Sequence, residues 1–290
     1  MARKIDLVII DPQNSFCKVV SESQQQVLHD GELCIPGAWE DMVRLAELVR
    51  RASNAIDDIH VTLDSHHPLH VSHPMYYKDS KGNQPIPFTC MREENDRIIG
   101  SVRDSSGNFV DVGEYFGFLP FIHKKALNYL KSLAAIGRHP HIVWPPHCLI
   151  GSPGHNIVQP LFDALLEWET KNFAALDIVT KGSNFHVEHF SAVQAEVVDP
   201  SDNSTQLNTA FIELVHKADE IWLAGEAGSH CLPETVFGMA NYFQDDSFIR
   251  KCTWLTDATS PVPGFEKYQE DAIQQMTKRG MKTAKCADVI

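Results

Sequence analysis

One cysteine of this 290-residue chain stands in a setting that favours nucleophilic chemistry. Cys231 follows the apolar run 221–224 and the small residues Gly225 and Gly228, and helical spacing resumes at Leu232. This pattern predicts a strand, a tight turn and a helix that begins near the cysteine. The start of a helix favours thiolate, and glycine-rich turns expose backbone N–H groups that can hold an oxyanion. The alternative is a buried structural cysteine, and this segment alone does not decide between the two.

An acidic residue and a lysine complete a set that can hydrolyse an amide. Asp11 follows the apolar run 7–10, and Lys181 follows the strand predicted at 176–180. A carboxylate can take the proton of a thiol and later give it to the leaving amine, while a lysine supports the thiolate by its charge. Each residue also has an ordinary interpretation, as a turn aspartate or a solvated lysine. Asp11, Lys181 and Cys231 are therefore catalytic candidates if the fold brings them together.

A histidine-rich segment suggests a metal site. Four of the fifteen histidines fall within positions 66–73. Asp64 and His66 lie two positions apart at a predicted strand end, and His147 follows the tryptophan and two prolines of 144–146. One carboxylate and two imidazoles form a three-ligand site for a divalent metal, which leaves positions open for water or substrate.

Strands and helices alternate along the chain, and this alternation predicts an α/β fold. Strand-like segments occupy positions 7–10, 59–63, 141–144, 176–180, 221–224, 251–255 and 282–286. Segments with helical spacing occupy positions 38–53, 124–136, 157–169, 204–217, 232–240 and 265–279. We therefore expect a doubly wound, mostly parallel sheet of about six strands with helices on both faces, a Rossmann-like three-layer arrangement. Because the carboxyl ends of parallel strands share one edge, the candidate side chains can share one pocket.

The segment 74–140 interrupts this alternation. It is rich in polar residues, glycine and proline, and Gly107-Asn108 predicts a hairpin turn between short strands. Its aromatic residues, among them Phe109 and Tyr115, need a surface to pack against. We expect one domain, 1–290, with this insertion acting as a lid or as the contact of a homo-oligomer; the alternative is a surface elaboration without a catalytic part.

Composition restricts the partners and the compartment. A net charge of −13 argues against nucleic acid or an anionic membrane as the main partner. No apolar run approaches the ~20 residues that span a bilayer, and the apolar run near the start of the chain is too short for a signal peptide. Seven cysteines without a CxxC pair are typical of a reduced protein. We expect a cytoplasmic protein whose partner is a small molecule.

The order and placement of these motifs resemble the isochorismatase-like cysteine hydrolases, and within them the nicotinamidases. Asp-Pro-Gln-Asn-Ser-Phe at 11–16 is similar to the family's Asp-x-Gln-Asn-Asp-Phe, and 31–37 is similar to its Gly-Ser-Leu-x-Val-Pro-Gly loop. Asp-Ser-His at 64–66 resembles the family's Asp-Trp-His, and the segment 144–154 resembles a nicotinamidase sequence. The chain matches the family over most of its length except about 74–140.

Several positions depart from the family pattern. Ser15 replaces an aspartate, and Ser65 stands where an aromatic residue is usual. The segment 225–231 resembles Gly-x-Ala-Thr-Asp-x-Cys, but Glu226 replaces an apolar residue, and Gly228 with the serine after it replaces Thr-Asp.

The resemblance implies roles for particular residues. It implies Asp11, Lys181 and Cys231 as the catalytic set, and the backbone N–H groups of Ala227 and Cys231 as the oxyanion hole beside a cis peptide bond between Ala227 and Gly228. It also implies three metal ligands, Asp64, His66 and His147, with His70 as a possible additional ligand. Phe16 and Trp144 would flank the ring of the substrate. The metal, zinc in the first place with iron or manganese as alternatives, would bind the pyridine nitrogen of the substrate. His67 and His73 are expected in a second layer or at the surface, and Cys148 is not expected to be the nucleophile.

These features favour an amidase that converts nicotinamide to nicotinate and ammonia through a cysteine thioester. The first alternative is a related amidase that acts on another small amide or ureido compound, because several motif positions depart from the family pattern. A metal-binding protein without enzymatic activity is a weaker alternative, since it would not require Asp11, Lys181 and Cys231 together.

Overall fold

The computed structural model describes residues 3–20, 27–137 and 139–290 of the chain. The described residues form thirteen strands: β1 (Ile5–Ile10), β2 (Lys18–Val20), β3 (Val27–Asp30), β4 (Asp58–Asp64), β5 (Tyr77–Lys78), β6 (Thr89–Glu94), β7 (Arg97–Arg103), β8 (Phe109–Gly117), β9 (His141–Val143), β10 (Asp177–Lys181), β11 (Glu220–Gly225), β12 (Cys252–Leu255) and β13 (Lys282–Ala284). They also form six α-helices: α1 (Ala38–Ala52), α2 (Pro120–Ile136), α3 (Gln159–Asn172), α4 (Thr209–His216), α5 (Cys231–Phe243) and α6 (Glu266–Lys278). Within these residues, no helix combines the length and the apolar character needed to cross a bilayer.

The main sheet has six strands in the order β10-β4-β1-β11-β12-β13. Each neighbouring pair is parallel, with Ile10 beside Gly225 and Asp64 beside Lys181 at the carboxyl ends. The predicted doubly wound, mostly parallel α/β sheet is therefore confirmed. Its central strands β1, β4 and β11 end next to one another, which is where such sheets place their chemistry.

Both faces of the main sheet are covered by helices. Alternate residues of β1 belong to different apolar clusters: Leu7 and Ile9 pack on the side of α1 and α3, and Val8 and Ile10 on the side of α4, α5 and α6. A strand that is buried on both faces needs a continuous apolar run rather than an alternating one. This explains why the apolar run at 7–10 marks a central strand.

The interruption at 74–140 is a second sheet with its own helix. Five antiparallel strands in the order β5-β8-β7-β6-β9 carry α2 on one side. The predicted hairpin turn lies between β7 and β8, where the Asp104 N–H donates to the Asn108 carbonyl over 2.8 Å. Gly107 adopts a φ of 83° there, a conformation that favours glycine.

The segment 141–144 was predicted to be a strand of the parallel sheet, and this prediction was wrong. β9 pairs antiparallel with β6 in the second sheet and takes no place in the parallel sheet. The strand is only three residues long, and the Trp144 N–H that follows donates to the Ser72 carbonyl over 2.7 Å. Local sequence does not specify which sheet edge a short strand joins.

Two other elements differ from the prediction. The antiparallel pair of β2 and β3 was not predicted, and the helix expected at 204–217 begins only at Thr209. The side chain of Asn208 accepts a hydrogen bond from the Phe211 N–H over 3.1 Å and so caps α4. An N-cap of this kind marks a helix start more strongly than apolar spacing does.

We expect Leu130→Ala in α2 to lower the free energy of unfolding by about 2–5 kcal/mol, because Leu130 is buried in the insertion's apolar cluster. This cluster also contains Val187, so the insertion and the main sheet should unfold together. Urea unfolding followed by tryptophan fluorescence and by circular dichroism measures this effect, since every tryptophan lies outside 77–143. Leu166→Ala, at a half-exposed position of α3, is the control. If Leu130→Ala shifted the transition seen by circular dichroism but not the one seen by fluorescence, the insertion and the main sheet would not unfold as one unit.

Candidate active site

The carboxyl edge of the main sheet brings the three predicted catalytic side chains together. Asp11 directly follows β1, Lys181 is the last residue of β10, and Cys231 is the first residue of α5. Lys181 Nζ lies 2.9 Å from Asp11 Oδ2 and 3.6 Å from Cys231 Sγ. All three side chains are buried. The arrangement joins a thiol, a carboxylate and an ammonium group in one enclosed space.

Asp11 is held in place by the neighbouring strand β4. Its backbone has a φ of 44°, in the left-handed region that is uncommon for residues other than glycine. The Asp11 N–H donates to the Thr62 carbonyl over 3.1 Å, and the Thr62 hydroxyl donates to Asp11 Oδ1 over 2.6 Å. The other carboxylate oxygen, Oδ2, forms the ion pair with the Lys181 ammonium group, which lies 2.9 Å away.

The resting nucleophile candidate is a thiol. Burial raises the pKa of Cys231 well above its ordinary value, and the Lys181 charge opposes this only in part. Burial also raises the pKa of Asp11, again against the effect of Lys181. The expectation that the helix start favours thiolate is therefore outweighed by burial. Attack by the sulfur requires a base, and Asp11 is the adjacent carboxylate.

Lys181 keeps its charge despite being buried. Burial by itself lowers the pKa of its ammonium group, but the carboxylates of Asp11 and Asp64 outweigh burial and raise that pKa well above the ordinary value. The Nζ lies 3.0 Å from Asp64 Oδ1 and donates to the His189 carbonyl over 3.1 Å. Lys181 thus connects Asp11 with Asp64, the first residue of the predicted metal site.

The turn from β11 into α5 presents two backbone N–H groups beside the thiol. Within the described part of the chain, neither the Ala227 N–H nor the Cys231 N–H donates to any protein acceptor. Gly225 has a φ of 106°, and a side chain there would collide with the backbone of Ile10. The predicted cis bond between Ala227 and Gly228 is wrong: the cis bond joins Glu226 to Ala227.

The departure at Gly228 has a steric reason. A Cβ at this position would collide with the side-chain amide of Gln269 and would come within 2.7 Å of Thr259 Oγ1. The threonine usual in this motif therefore does not fit here unless these neighbours move. The hydroxyl of Ser229 next to it accepts from the Val262 N–H over 3.0 Å and pairs with His230.

The predicted metal ligands also converge. One ligand atom from each of Asp64, His66 and His147 can be chosen so that all lie within 4.8 Å of one another, and all three residues are buried. His66 Nε2 lies 2.8 Å and His147 Nε2 3.4 Å from Asp64 Oδ2. The coulombic and hydrogen-bonding effects of His66, Lys181 and His147 outweigh burial and hold the pKa of Asp64 well below its usual range.

The hydrogen bonds of the two histidines suit a metal ion. His66 Nδ1 lies 3.2 Å from the Gly182 carbonyl, and His147 Nδ1 lies 2.9 Å from the Pro145 carbonyl. A carbonyl only accepts, so each Nδ1 donates and each Nε2 is directed towards the Asp64 carboxylate. Burial lowers the pKa of His66, but the Asp64 carboxylate outweighs burial and raises that pKa above its ordinary value. Two Nε2 atoms beside one carboxylate need a proton or a cation between them, and carbonyl contacts of this kind are usual behind metal-bound imidazoles. The residues present therefore fit a divalent metal.

The other histidines of 66–73 lie around this group. His70 is buried with its ring centroid 4.3 Å from that of His66, but it does not belong to the three-residue group. His73 is buried too, with its ring 5.5 Å from that of His147, so it lies in a second layer and not at the surface. His67 is exposed.

Phe16 and Trp144 line a narrow cavity beside the thiol. The cavity has a volume of about 20 Å³, which is room for roughly one water molecule. The Phe16 ring lies 5.6 Å from that of His147, and the Trp144 ring lies 5.4 Å from that of His230. The predicted ring-flanking residues and the metal group thus share one cavity with Cys231.

Two polar residues of the cavity lining were not predicted from the sequence. His230 lines the cavity, and burial lowers the pKa of its imidazole to about 3, so the ring is neutral. Its place directly before Cys231 is a signal that could have revealed it. Glu188 lines the cavity as well and accepts from the Ser72 hydroxyl, but its segment has no periodicity that points to a site.

Three further positions concern the departures from the family pattern or the excluded cysteine. Ser15 donates to Glu32 over 2.7 Å and accepts from the Cys148 N–H over 2.8 Å, which gives the serine a structural role where the family has aspartate. The Cys148 thiol is buried, and burial raises its pKa well above the ordinary value. Ser65 bonds to His155 Nε2 over 2.8 Å and does not line the cavity.

Comparison with known proteins identifies the fold. No protein-family model matches the chain, and no curated protein matches it by sequence. The yeast nicotinamidase bound to nicotinaldehyde is similar in structure, with a TM-score of 0.60 and 19% identity over 97% of this chain and 99% of that one. An Acinetobacter baumannii nicotinamidase/pyrazinamidase has a TM-score of 0.59 at 17% identity, covering 99% of both chains. A Pyrococcus horikoshii pyrazinamidase in complex with zinc has a TM-score of 0.51 at 16% identity, covering 97% of this chain and 99% of that one. The chain therefore has the α/β fold of these nicotinamidases and pyrazinamidases.

Proposed function

We propose that this protein is an amidase that hydrolyses nicotinamide to nicotinate and ammonia through a thioester on Cys231. The observation that carries the proposal is the continuous buried contact from Cys231 through Lys181 to Asp11 and Asp64. Cys231, Asp64 and His147 line the cavity, and Lys181 connects them with Asp11, the proposed base. The similar fold of nicotinamidases and pyrazinamidases supports the same conclusion.

The proposed reaction has two halves. Asp11 takes the thiol proton while Cys231 Sγ forms a bond to the amide carbon, and the N–H groups of Ala227 and Cys231 hold the resulting oxyanion. The C–N bond then breaks as Asp11 gives the proton to the departing ammonia. Asp11 next takes a proton from water, which attacks the thioester, and the C–S bond breaks as Asp11 gives that proton to the sulfur and so restores the thiol. The nicotinic acid released loses its proton to solvent as nicotinate. Lys181 keeps Asp11 oriented and offsets the negative charge.

The metal has a separate role in this proposal. Asp64, His66 and His147 would hold a divalent ion, zinc in the first place with iron or manganese as alternatives, and His70 is a possible further ligand. When bound, the ion would supply a Lewis-acid site for the pyridine nitrogen. Phe16 and Trp144 would flank the ring. Zinc in the Pyrococcus pyrazinamidase supports this choice of metal.

The insertion would act as a lid over the cavity. The Phe88 ring lies 5.9 Å from that of Trp144, and the Arg103 guanidinium lies 5.4 Å from the Phe265 ring. Residues of the second sheet thus contact residues around the narrow cavity, which must open to admit a pyridine ring. The exposed apolar side chains of Phe109 and Val112 on β8 support a homo-oligomer contact on the same sheet.

The cell compartment and the pathway follow from the same proposal. All seven cysteines are free, which supports a reducing, cytoplasmic location. Release of nicotinate from nicotinamide would place the enzyme in NAD metabolism, in the salvage of pyridine nucleotides.

The second candidate is an amidase of the same fold that acts on another small amide or ureido compound. The narrow cavity and the unusual residues Ser65, Glu226 and Gly228 favour it. A metal-binding protein without enzymatic activity is the weaker alternative. A substrate panel separates all three, because only an amidase releases ammonia and only a nicotinamidase requires the ring nitrogen.

Benzamide should be a far poorer substrate than nicotinamide, because it has the same shape but no ring nitrogen. Losing an interaction of about 1.4 kcal/mol lowers kcat/KM tenfold, so we expect a decrease of at least about tenfold. Ammonia release from both amides, with the bound metal measured on the same sample, tests the difference. Equal turnover of the two amides, or full activity without metal, would favour a metal-independent amidase.

Cys231→Ala should abolish turnover and leave the fold intact, because it removes the attacking sulfur. The expected loss in kcat is roughly 10⁴- to 10⁶-fold. Cys34→Ala, at a half-buried cysteine away from the cavity, is the matched control and should retain wild-type activity. Near wild-type turnover by Cys231→Ala, or inactivation by iodoacetamide that labels Cys148 instead, would show that another residue is the nucleophile.

His147→Ala should weaken zinc binding by roughly 100-fold or more, because it removes one of three ligands. His67→Ala is the matched control, since His67 is an exposed histidine next to the same group. Competition with a chelating dye measures the affinity of each variant. Cys231 in His147→Ala should still react with iodoacetamide, which separates metal loss from unfolding. Unchanged zinc affinity in His147→Ala would rule out this ligand set.

A further inference from the structure

A carboxyl group is buried directly beside the turn that carries the Ala227 N–H. Glu226 precedes Ala227, and its side chain has no exposed surface. Its N–H donates to the Ile10 carbonyl over 2.7 Å, which ties the turn to β1. The family pattern has an apolar residue at this position, so the catalytic set described above does not explain the acid.

The Glu226 side chain connects the turn to the loop that follows β12. Glu226 Oε2 accepts from the Ser260 N–H over 3.1 Å. The Ser260 carbonyl in turn accepts from the Gly228 N–H over 2.9 Å, and the Ala258 carbonyl accepts from the Gly225 N–H over 2.8 Å. The turn is therefore fastened to one loop on both sides of Ala227.

A second carboxyl group from α1 joins this network. Asp41 Oδ2 accepts from the Ser260 hydroxyl over 2.5 Å, and Asp41 Oδ1 pairs with Arg44 over 2.5 Å. Arg44 also donates to the Asp257 carbonyl over 2.6 Å. Glu226 and Asp41 therefore bind the same serine, and Glu226 Oε1 is buried without a hydrogen-bond donor among the described residues. Arg44 offsets the charge of Asp41, so a proton on Glu226 would relieve the repulsion between the two buried acids and would let Oε1 donate a hydrogen bond.

We propose that Glu226 is a positioning residue that keeps the Ala227 N–H directed at the oxyanion through a hydrogen bond that it donates to Asp41. This role depends on the amidase activity proposed above. The proton lies on Glu226, which donates to Asp41 while accepting from the Ser260 N–H. When that proton is lost, two buried carboxylates repel each other and the turn is displaced.

The direction in which the pKa of Glu226 is shifted predicts how kcat depends on pH. Burial and the Asp41 charge raise the pKa of Glu226 well above its usual range. A carboxyl group of this kind stabilises the fold while it is protonated, and this contribution is lost as the pH rises through its folded-state pKa. The other titratable and charged groups that face it are Asp41 and Arg44 of α1 and the buried thiol of Cys17. We therefore expect kcat to fall on the alkaline side of its pH profile.

Glu226→Gln tests the role of the proton. Its amide donates to Asp41 and accepts from Ser260 at every pH, so kcat near neutral pH should stay within about twofold of wild type, and the alkaline fall should move to higher pH. Glu226→Leu lacks both hydrogen bonds, and we expect kcat to fall about tenfold with KM changed less than twofold. Glu40→Gln removes an exposed acid from the same helix as Asp41 and is the control with a wild-type profile.

Two measurements separate this role from the amidase proposal. One is the pH profile of kcat, and the other is the melting temperature of wild type and Glu226→Gln across the same pH range. A melting temperature that falls at alkaline pH in wild type but not in Glu226→Gln, without any turnover of amides, would support the acid pair and refute the amidase. An unaltered alkaline fall in Glu226→Gln, or an unchanged kcat in Glu226→Leu, would refute the positioning role.

Discussion

The buried ammonium group of Lys181 is the interaction on which the candidate site depends. It lies 2.9 Å from one carboxylate, 3.0 Å from a second and 3.6 Å from the thiol. Removing one partner of a buried ion pair typically costs about 3–5 kcal/mol, because the other charge stays buried without compensation. The cation therefore allows Asp11 and Asp64 to lie close together at the end of the same sheet.

This shared cation couples two kinds of chemistry. In the proposed reaction Asp11 would serve as base for Cys231, whereas Asp64 belongs to the group that fits a metal. Burial keeps the cysteine protonated, so the proposed attack would depend on Asp11, which Lys181 and Thr62 hold in place. A divalent ion bound to Asp64 would add a second positive charge close to that of Lys181. The charge balance of the cavity thus involves all these groups at once.

Where the chain departs from the motifs that it resembles, the replaced residues make contacts that the structure shows. A side chain at position 228 would require Gln269 and Thr259 to move, and Ser15 accepts a hydrogen bond from the Cys148 N–H. Glu226 introduces an acid where an apolar residue is usual, and the Ser260 N–H donates a hydrogen bond to it. Each departure is matched by a contact from a distant segment.

Sequence by itself determined the parts of the molecule that depend on local pattern. Continuous apolar runs indicated the strands of the parallel sheet, and polar residues at their carboxyl ends indicated Asp11, Asp64, Lys181 and Cys231. These inferences succeed because burial on both faces and the common edge of parallel strands are direct consequences of the β-α alternation.

Only the tertiary structure decided features that arise from contacts between distant residues. These include the pairing of β9 with β6, the thiol state of Cys231, and the binding of Glu226 and Asp41 to the same serine, Ser260. Protonation depends on how deeply a group is buried and which charges surround it, and neither is visible in local spacing. The sequence showed that four histidines lie close together in 66–73. Only the folded chain showed that His66, and not His70 or His73, joins Asp64 and His147 in the group that fits a metal.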